Sequence, residues 1–183
     1  MNTGRISVRY AKALYDLAND TNVAKEVYDH SYTVSKTIYS SSDFYYILHN
    51  PVILPSEKER IIKSIFGDKV NPLLTSFIAL MVKKRRESYI INALLVYQKI
   101  YREKAGIVKV VIETPAELGE DEKNSILAFV KSKFNKIPEL EVRQVPNLIG
   151  GFIVEVEGLL IDLSVSGQLA NMRKALVQNQ RVL

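Results

Sequence analysis

The chain contains no cysteine and no tryptophan, and only two histidines, His30 and His49. Without thiols it can form no disulfide, thiolate metal site, redox pair or cysteine nucleophile, and a reducing compartment suits that composition. Neither imidazole stands in a His-x-x-x-His or Glu-His pattern, so no histidine metal centre is expected, and both read as surface or helix-end residues. Long apolar runs are also missing. The longest, Phe77 to Val82, falls far short of the roughly 20 residues that a membrane-crossing helix needs. No apolar stretch follows the first basic residue in Met1 to Ile6, so no secretory leader is expected there.

What is present is the composition of a folded protein: 47% of the 183 residues are hydrophobic and 25% charged, enough apolar surface to offset the entropy of ordering the backbone. The net charge of +5 raises nucleic acid or an anionic surface as partners. Its distribution is uneven. Residues 1–105 carry 16 Lys+Arg against 10 Asp+Glu, whereas residues 106–183 carry 9 against 10, so the basic excess lies wholly in the first part. All ten tyrosines precede residue 102, and six of the eight glycines lie at or after Gly106. These shifts predict two modules meeting at Ala105-Gly106.

The first module reads as helical. Ile6, Tyr10, Leu14 and Leu17 form one stripe, and Ala11, Tyr15 and Ala18 a second, rotated from it, so this helix offers more apolar surface than a single core face uses. Helical spacing continues through Val27, Val34 and Ile38, and a short helix around Phe44 to Leu48 stops at Asn50-Pro51. Pro55-Ser56 with Glu59 predicts a capping box, Ile61, Ile62, Ile65 and Phe66 a buried face, and Gly67 a stop. Asn71-Pro72 opens a helix whose middle, Phe77 to Val82, is apolar on every side and therefore needs cover from more than one direction. Lys83-Lys84-Arg85-Arg86 follows; it either complements the helix dipole or contacts nucleic acid or an acidic segment. A last helix runs from Tyr89 to Lys104, with Ile90, Leu94, Tyr97 and Tyr101 inward.

The second module alternates strand and helix. Ile107 to Thr114 predicts a strand, and Glu117 to Phe134 a helix with acids in its first turn, lysines in its last, and Ile126, Leu127, Val130 and Phe134 facing inward. Leu140 to Val145 alternates as a half-wet strand. Phe152, Val154 and Val156 share a face, Glu157-Gly158 turns the chain, and Leu159, Ile161 and Leu163 run back. A closing helix from Ser166 carries Leu169, Met172, Leu176 and Val177. The expected fold is mainly α: six helices bundled over residues 1–105, then a small α+β domain over 106–183 with a short sheet and two helices.

No P-loop, Gly-x-Gly-x-x-Gly turn, His-Glu-x-x-His helix or Gly-x-Ser-x-Gly elbow occurs. Gly150-Gly151 precedes a strand, so the pair reads as structural, supplying positive φ or a close backbone approach. Asp162, alone among apolar strand residues, has no partner acid, histidine or lysine beside it, and reads as a hydrogen-bonded turn or sheet-edge residue rather than a general base. No catalytic residue, cofactor or metal is expected.

Two segments together resemble a known family. Arg9-Tyr10-Ala11-Lys12-Ala13-Leu14-Tyr15-Asp16-Leu17-Ala18 is similar to the first helix, and Leu148-Ile149-Gly150-Gly151-Phe152 with Asp162-Leu163-Ser164-Val165-Ser166-Gly167-Gln168-Leu169 to the C-terminal motif, of the δ subunits of F-type ATP synthases, whose mitochondrial counterpart is the oligomycin-sensitivity-conferring protein. The resemblance spans the whole chain. It implies a non-enzymatic subunit of the peripheral stalk, which holds the F1 head to the membrane sector against torque during proton-driven ATP synthesis. It implies that the first and fifth helices receive an N-terminal helix of an F1 α subunit, on a face including Tyr10, Ala13, Leu14, Ser76, Leu80 and Lys83, and that the C-terminal domain meets the b subunits. Gly150, Gly151, Asp162 and Gly167 would be its structural motif residues. Membrane association, on the cytoplasmic face of a bacterial inner membrane, would come only through the complex. The alternative is a basic helical RNA- or DNA-binding protein, suggested by the charge and Lys83 to Arg86.

Overall fold

A computed structural model describes residues 3–67 and 69–179, with the side chains of residues 4–67 and 69–174. Leu176 and Val177, expected on the closing helix's apolar stripe, have side chains outside those described. The chain divides into two compact units, Met1–Lys104 and Ala105–Leu183. Among the described residues it is mainly helical, with eight α-helices and one four-stranded sheet.

The first unit contains α1 (Thr3–Asp20), α2 (Ala24–Ser40), α3 (Ser42–His49), α4 (Pro55–Phe66), α5 (Pro72–Lys83) and α6 (Ile90–Ala105, whose last residue begins the second unit), with a 3-10 turn at Glu87–Tyr89 before α6. Local chemistry sets the boundaries. Ser41 accepts the Phe44 N–H at 3.3 Å to start α3, and the Asn71 side chain accepts the Leu73 N–H at 2.9 Å to start α5 with Pro72 in its first turn. The capping box expected at Ser56 and Glu59 is absent. Pro55 already occupies the first helical position, which moves the cap back to Leu54, a residue with no side-chain acceptor. The helices enclose one core that includes Leu14, Val34, Ile38, Ile62, Leu74, Ile78, Met81, Leu94 and Tyr97, all buried. Tyr97 donates its hydroxyl to the Ala24 carbonyl at 2.9 Å, and burial, followed by the nearby Tyr101 and Tyr15, pushes that hydroxyl far above its ordinary pKa.

The second unit contains β1 (Ile107–Thr114), α7 (Glu120–Phe134), β2 (Ile137–Gln144), β3 (Ile153–Val156), β4 (Leu159–Asp162) and α8 (Val165–Asn179). The sheet order is β2-β1-β3-β4, with β1 and β2 parallel around the α7 crossover and the remaining pairs antiparallel. β2 begins three residues before the expected Leu140 because it pairs along the full length of β1, Ile107 opposite Ile137 through Thr114 opposite Gln144; as an edge strand it tolerates Pro138. α7 starts at Glu120 rather than Glu117, where the Glu122 carboxylate reaches back to accept the Gly119 N–H at 3.1 Å. Val108, Val110, Ile112, Val154 and Val156 form a small core with Val130 of α7, while Ile126 and Phe134 are only partly covered. Lys109 of β1 lies 2.5 Å from Glu141 of β2, and Arg143 of the same strand as Glu141 lies 2.8 Å from it. Partial burial opposes ionisation of Glu141, but its hydrogen bonds to the two cations prevail and lower its pKa.

Candidate functional site

The two stripes on α1 are not sealed as units: Leu14 of the first joins Ala11 and Ala18 of the second in the core, and Tyr15 of the second is half-buried. Ser7, Ala11, Leu14 and Ala18 are buried in the core, whereas Ile6 and Tyr10 are half-buried and Leu17 is 49% exposed. α5 divides in the same way: Leu74, Ile78 and Met81 point inward, and Leu80 remains 46% exposed. The surplus surfaces meet. Tyr10, Ala13, Leu14 and Leu17 from α1 and Leu73, Ser76, Phe77 and Leu80 from α5 line a groove of about 270 Å³. Five of the six residues that the resemblance placed on the docking face therefore share one groove, and Lys83 is exposed one turn beyond Leu80. Leu17, Leu73 and Phe77 complete the lining; their apolar character and helical spacing were visible, but not which side of each helix the core would take.

The basic run after α5 divides into separate roles. The Arg86 N–H bonds the Met81 carbonyl at 2.8 Å and the Arg85 N–H bonds the Val82 carbonyl at 2.9 Å, a paired helix stop with Arg85 in the left-handed region at φ 53°. This reversal sends Arg86 back to α1, where Nη1 donates to the Tyr10 hydroxyl at 2.9 Å and the guanidinium lies 5.5 Å from the ring centre. Tyr10 is packed edge-on to Phe77, with ring centres 6.2 Å apart. Arg86 thus holds Tyr10, a residue of the groove lining, and Lys83, Lys84 and Arg85 are exposed.

Behind the same turn lies an ion pair that no sequence motif announces. Lys58 is only 2% exposed, and its Nζ donates to the Leu48 carbonyl at 2.7 Å and to Glu87 Oε1 at 2.6 Å. It joins α3, α4 and the 3-10 turn, and the spacing of 29 residues between the partners left no local signal. His30 is likewise more than a surface residue: its Nδ1 accepts the Asn71 N–H at 3.0 Å, fixing the entry to α5 from α2. His49 ends α3, with its ring stacked on Tyr45 at 4.0 Å between centres. A second, open depression of about 650 Å³ lies here, between Ser42 and Pro51, with Tyr46 exposed on it. Its aromatic side chains were not singled out from the sequence.

In the second unit the four motif residues gather at the start of α8, where Asp162 and Gly167 form a helix cap with Ser164. Asp162 Oδ1 accepts the Ser164 N–H at 2.9 Å and the Ser164 hydroxyl at 2.6 Å, while the Ser164 oxygen accepts the Gly167 N–H at 3.0 Å, a bond to the third residue of α8. Hydrogen bonding to the Ser164 side chain, then to its backbone, holds the Asp162 carboxyl below its ordinary pKa. A Cβ on Gly167 would lie 2.5 Å from Asp162 Oδ2, so the carboxylate occupies the place a side chain would take. Gly151 has φ 75°, and a Cβ there would collide with the Leu163 carbonyl oxygen. Gly150 differs from the reading that paired it with Gly151. It does not have positive φ, its carbonyl accepts the Val165 N–H at 3.0 Å, and an added Cβ would meet only the Val165 methyl, at 3.3 Å.

Among the described residues, no cluster of metal-binding side chains is present, and no helix is long and apolar enough to cross a membrane. Fold and site define a two-unit, mainly helical chain with an apolar groove between two helices of its first unit. The family model described as ATP synthase delta (OSCP) subunit matches residues 6–176. ATP synthase subunit delta of Desulforamulus reducens is 30% identical over 177 residues, covering 97% of this chain and 98% of the relative. The subunit delta of Carboxydothermus hydrogenoformans is 30% identical over 176 residues, covering 96% and 99%. A chain in the cryo-EM structure of the Toxoplasma gondii mitochondrial ATP synthase hexamer shares the fold with TM-score 0.72 and 18% identity, over 93% of this chain and 97% of that one. The protein belongs to the ATP synthase delta (OSCP) subunit family.

Proposed function

We propose that this chain is a non-catalytic stator subunit of an F-type ATP synthase, holding the F1 head to the peripheral stalk while the central stalk turns. The carrying observation is the groove between α1 and α5, where Leu17 and Leu80 stay 49% and 46% exposed beside a well-filled core. The six helices of the first unit form the docking bundle, and the groove takes the amphipathic N-terminal helix of an F1 α subunit. The second unit meets the b subunits through its exposed apolar residues, among them Ile149, Leu160, Leu169 and Met172. Membrane association, at the cytoplasmic face of a bacterial inner membrane, then comes through the complex. Two interfaces of about 800 Å² per partner suffice, because tethering through both makes release require that both fail together.

The geometry argues against the nucleic-acid alternative, because Arg86 is engaged with Tyr10 and the basic run bends back at Arg85 instead of lying along one helix face. Leu80→Asp tests the docking reading. The variant keeps the wild-type unfolding midpoint, followed by tyrosine emission, and loses at least about 100-fold in affinity for a peptide of the α-subunit N-terminal segment, as expected for a charge placed in an apolar groove. Undiminished binding would overturn the assignment of the groove. Steep loss of binding to single-stranded RNA with added salt, at affinities tighter than for the peptide, would favour the alternative.

A further inference from the structure

We infer that the groove reads the charge order of the helix it receives: the partner's acidic end lies at the Tyr10–Leu80 end and its basic end at the Leu17–Leu73 end. This inference rests on the docking reading above and adds the partner's polarity along the groove axis.

The groove's two ends can be placed. Arg86, just beyond α5, bonds Tyr10, and Phe77 packs on the same ring, so the C-terminal end of α5 lies beside the first half of α1. Asn71, at the start of α5, bonds His30 in the second turn of α2, the helix that follows the end of α1. The two helices are therefore antiparallel.

Charges on the rims follow from helical spacing. On α1, Arg9, Ala13, Asp16 and Asp20 recur at four, three and four residues, a stripe bordering the groove through Ala13. On α5, Ser76, Leu80 and Lys83 recur at four and three. The Tyr10–Leu80 end is thus cationic, from Arg9 and Lys83, and the far end anionic, from Asp16 and Asp20. All four are exposed, and none is in an ion pair among the described residues. Two cations oppose this gradient without reversing it: Lys12, one turn before Asp16 and further round α1 from the groove, and Lys69, exposed just before α5. Arg9 and Asp20 are eleven positions apart, about 16 Å along the helix, or three turns of a bound partner. The apolar lining supplies affinity for any amphipathic helix. The rim charges choose its direction, because reversing it would set like charges against each other at both ends.

The test uses two synthetic helical peptides of about five turns with the same apolar face, one with glutamates in its first turn and lysines in its last, the other with the charges exchanged. Each carries a nitroxide at its N-terminus and is titrated into the isotope-labelled full chain. The glutamate-first peptide broadens the amides of Arg9 and Leu80, and the lysine-first peptide those of Leu17 and Leu73. Lys83→Glu weakens the glutamate-first peptide about fivefold at low salt and leaves the tyrosine-monitored unfolding midpoint unchanged. Broadening at the same end by both peptides, or of Leu17 and Leu73 by the glutamate-first peptide and of Arg9 and Leu80 by the lysine-first one, overturns the polarity alone. Failure of both peptides to bind overturns the docking reading with it.

Discussion

Among the described residues, the first unit buries 21 apolar side chains in one cluster, reaching into all six of its helices, while the cluster of the second holds six, drawn from β1, β3 and α7, with Val111 buried apart from it. None of the described side chains of α8 is buried, and its Leu169 and Met172 are 59% and 62% exposed. The first unit holds itself together and still leaves apolar surface over for a groove. The second depends on backbone geometry: a parallel strand pair, a left-handed hairpin turn at Glu157 and Gly158, and the Asp162–Ser164–Gly167 cap. A unit with so small a core has little reserve, and it leaves Leu169 and Met172 of α8 and Leu159 and Leu160 of the edge strand β4 exposed.

The contrast predicts where single substitutions act. Because every tyrosine precedes residue 102, tyrosine emission reports the first unit, and the methyl and amide resonances of Val110, Ile112 and Val154 report the second. Gly151→Val has the largest expected effect. It combines a left-handed φ with a collision against the Leu163 carbonyl, and destabilises the second unit by about 4 kcal/mol or more while the tyrosine transition stays in place. Gly150→Ala, with only a movable methyl to displace, leaves both transitions nearly unchanged; a large loss there would show that the loop is far more rigid than its contacts indicate.

Lys58→Ala comes next and acts on the other unit. It leaves Glu87 partly buried without its cation, costing about 3 kcal/mol in the tyrosine transition and nothing in the β1 resonances. Should both signals shift together, the two units would fold as one and the comparison would fail.

Smallest is the pH effect. Glu141 and Asp162 both have lowered pKa values in the folded chain, so the stability they contribute is complete above their ordinary values, 4.5 and 3.8, and is lost as pH falls through the folded ones. The second unit's unfolding midpoint therefore falls on acidification below about pH 4.5, and Glu141→Gln flattens part of that fall. An identical acid profile in the variant would remove Glu141 from the account.

Much of the architecture was legible locally. Asn71-Pro72 marked a helix start, the β-branched run from Ile107 marked a strand, and Glu157-Gly158 marked the hairpin, each because the relevant physics acts within a few residues. The groove was legible as an excess: α1 and α5 carry more apolar positions than one core face uses. The Lys58–Glu87 pair, the His30–Asn71 bond and the Arg86–Tyr10 contact were not, since their partners lie 29, 41 and 76 positions apart and no periodicity links them. The capping box at Ser56 failed for a local reason, because Pro55 enters the helix one residue sooner.

The order of helices and strands, the change of composition at Ala105-Gly106 and the amount of apolar surface on α1 and α5 were all set by the chain itself, through propensity, capping and periodicity. Packing alone decided which positions of the two stripes on α1 would be sealed. Ala11 and Ala18 are small enough to let neighbouring helices close over them, and that choice turned Tyr10 and Leu17 outward beside Leu80 and opened the groove.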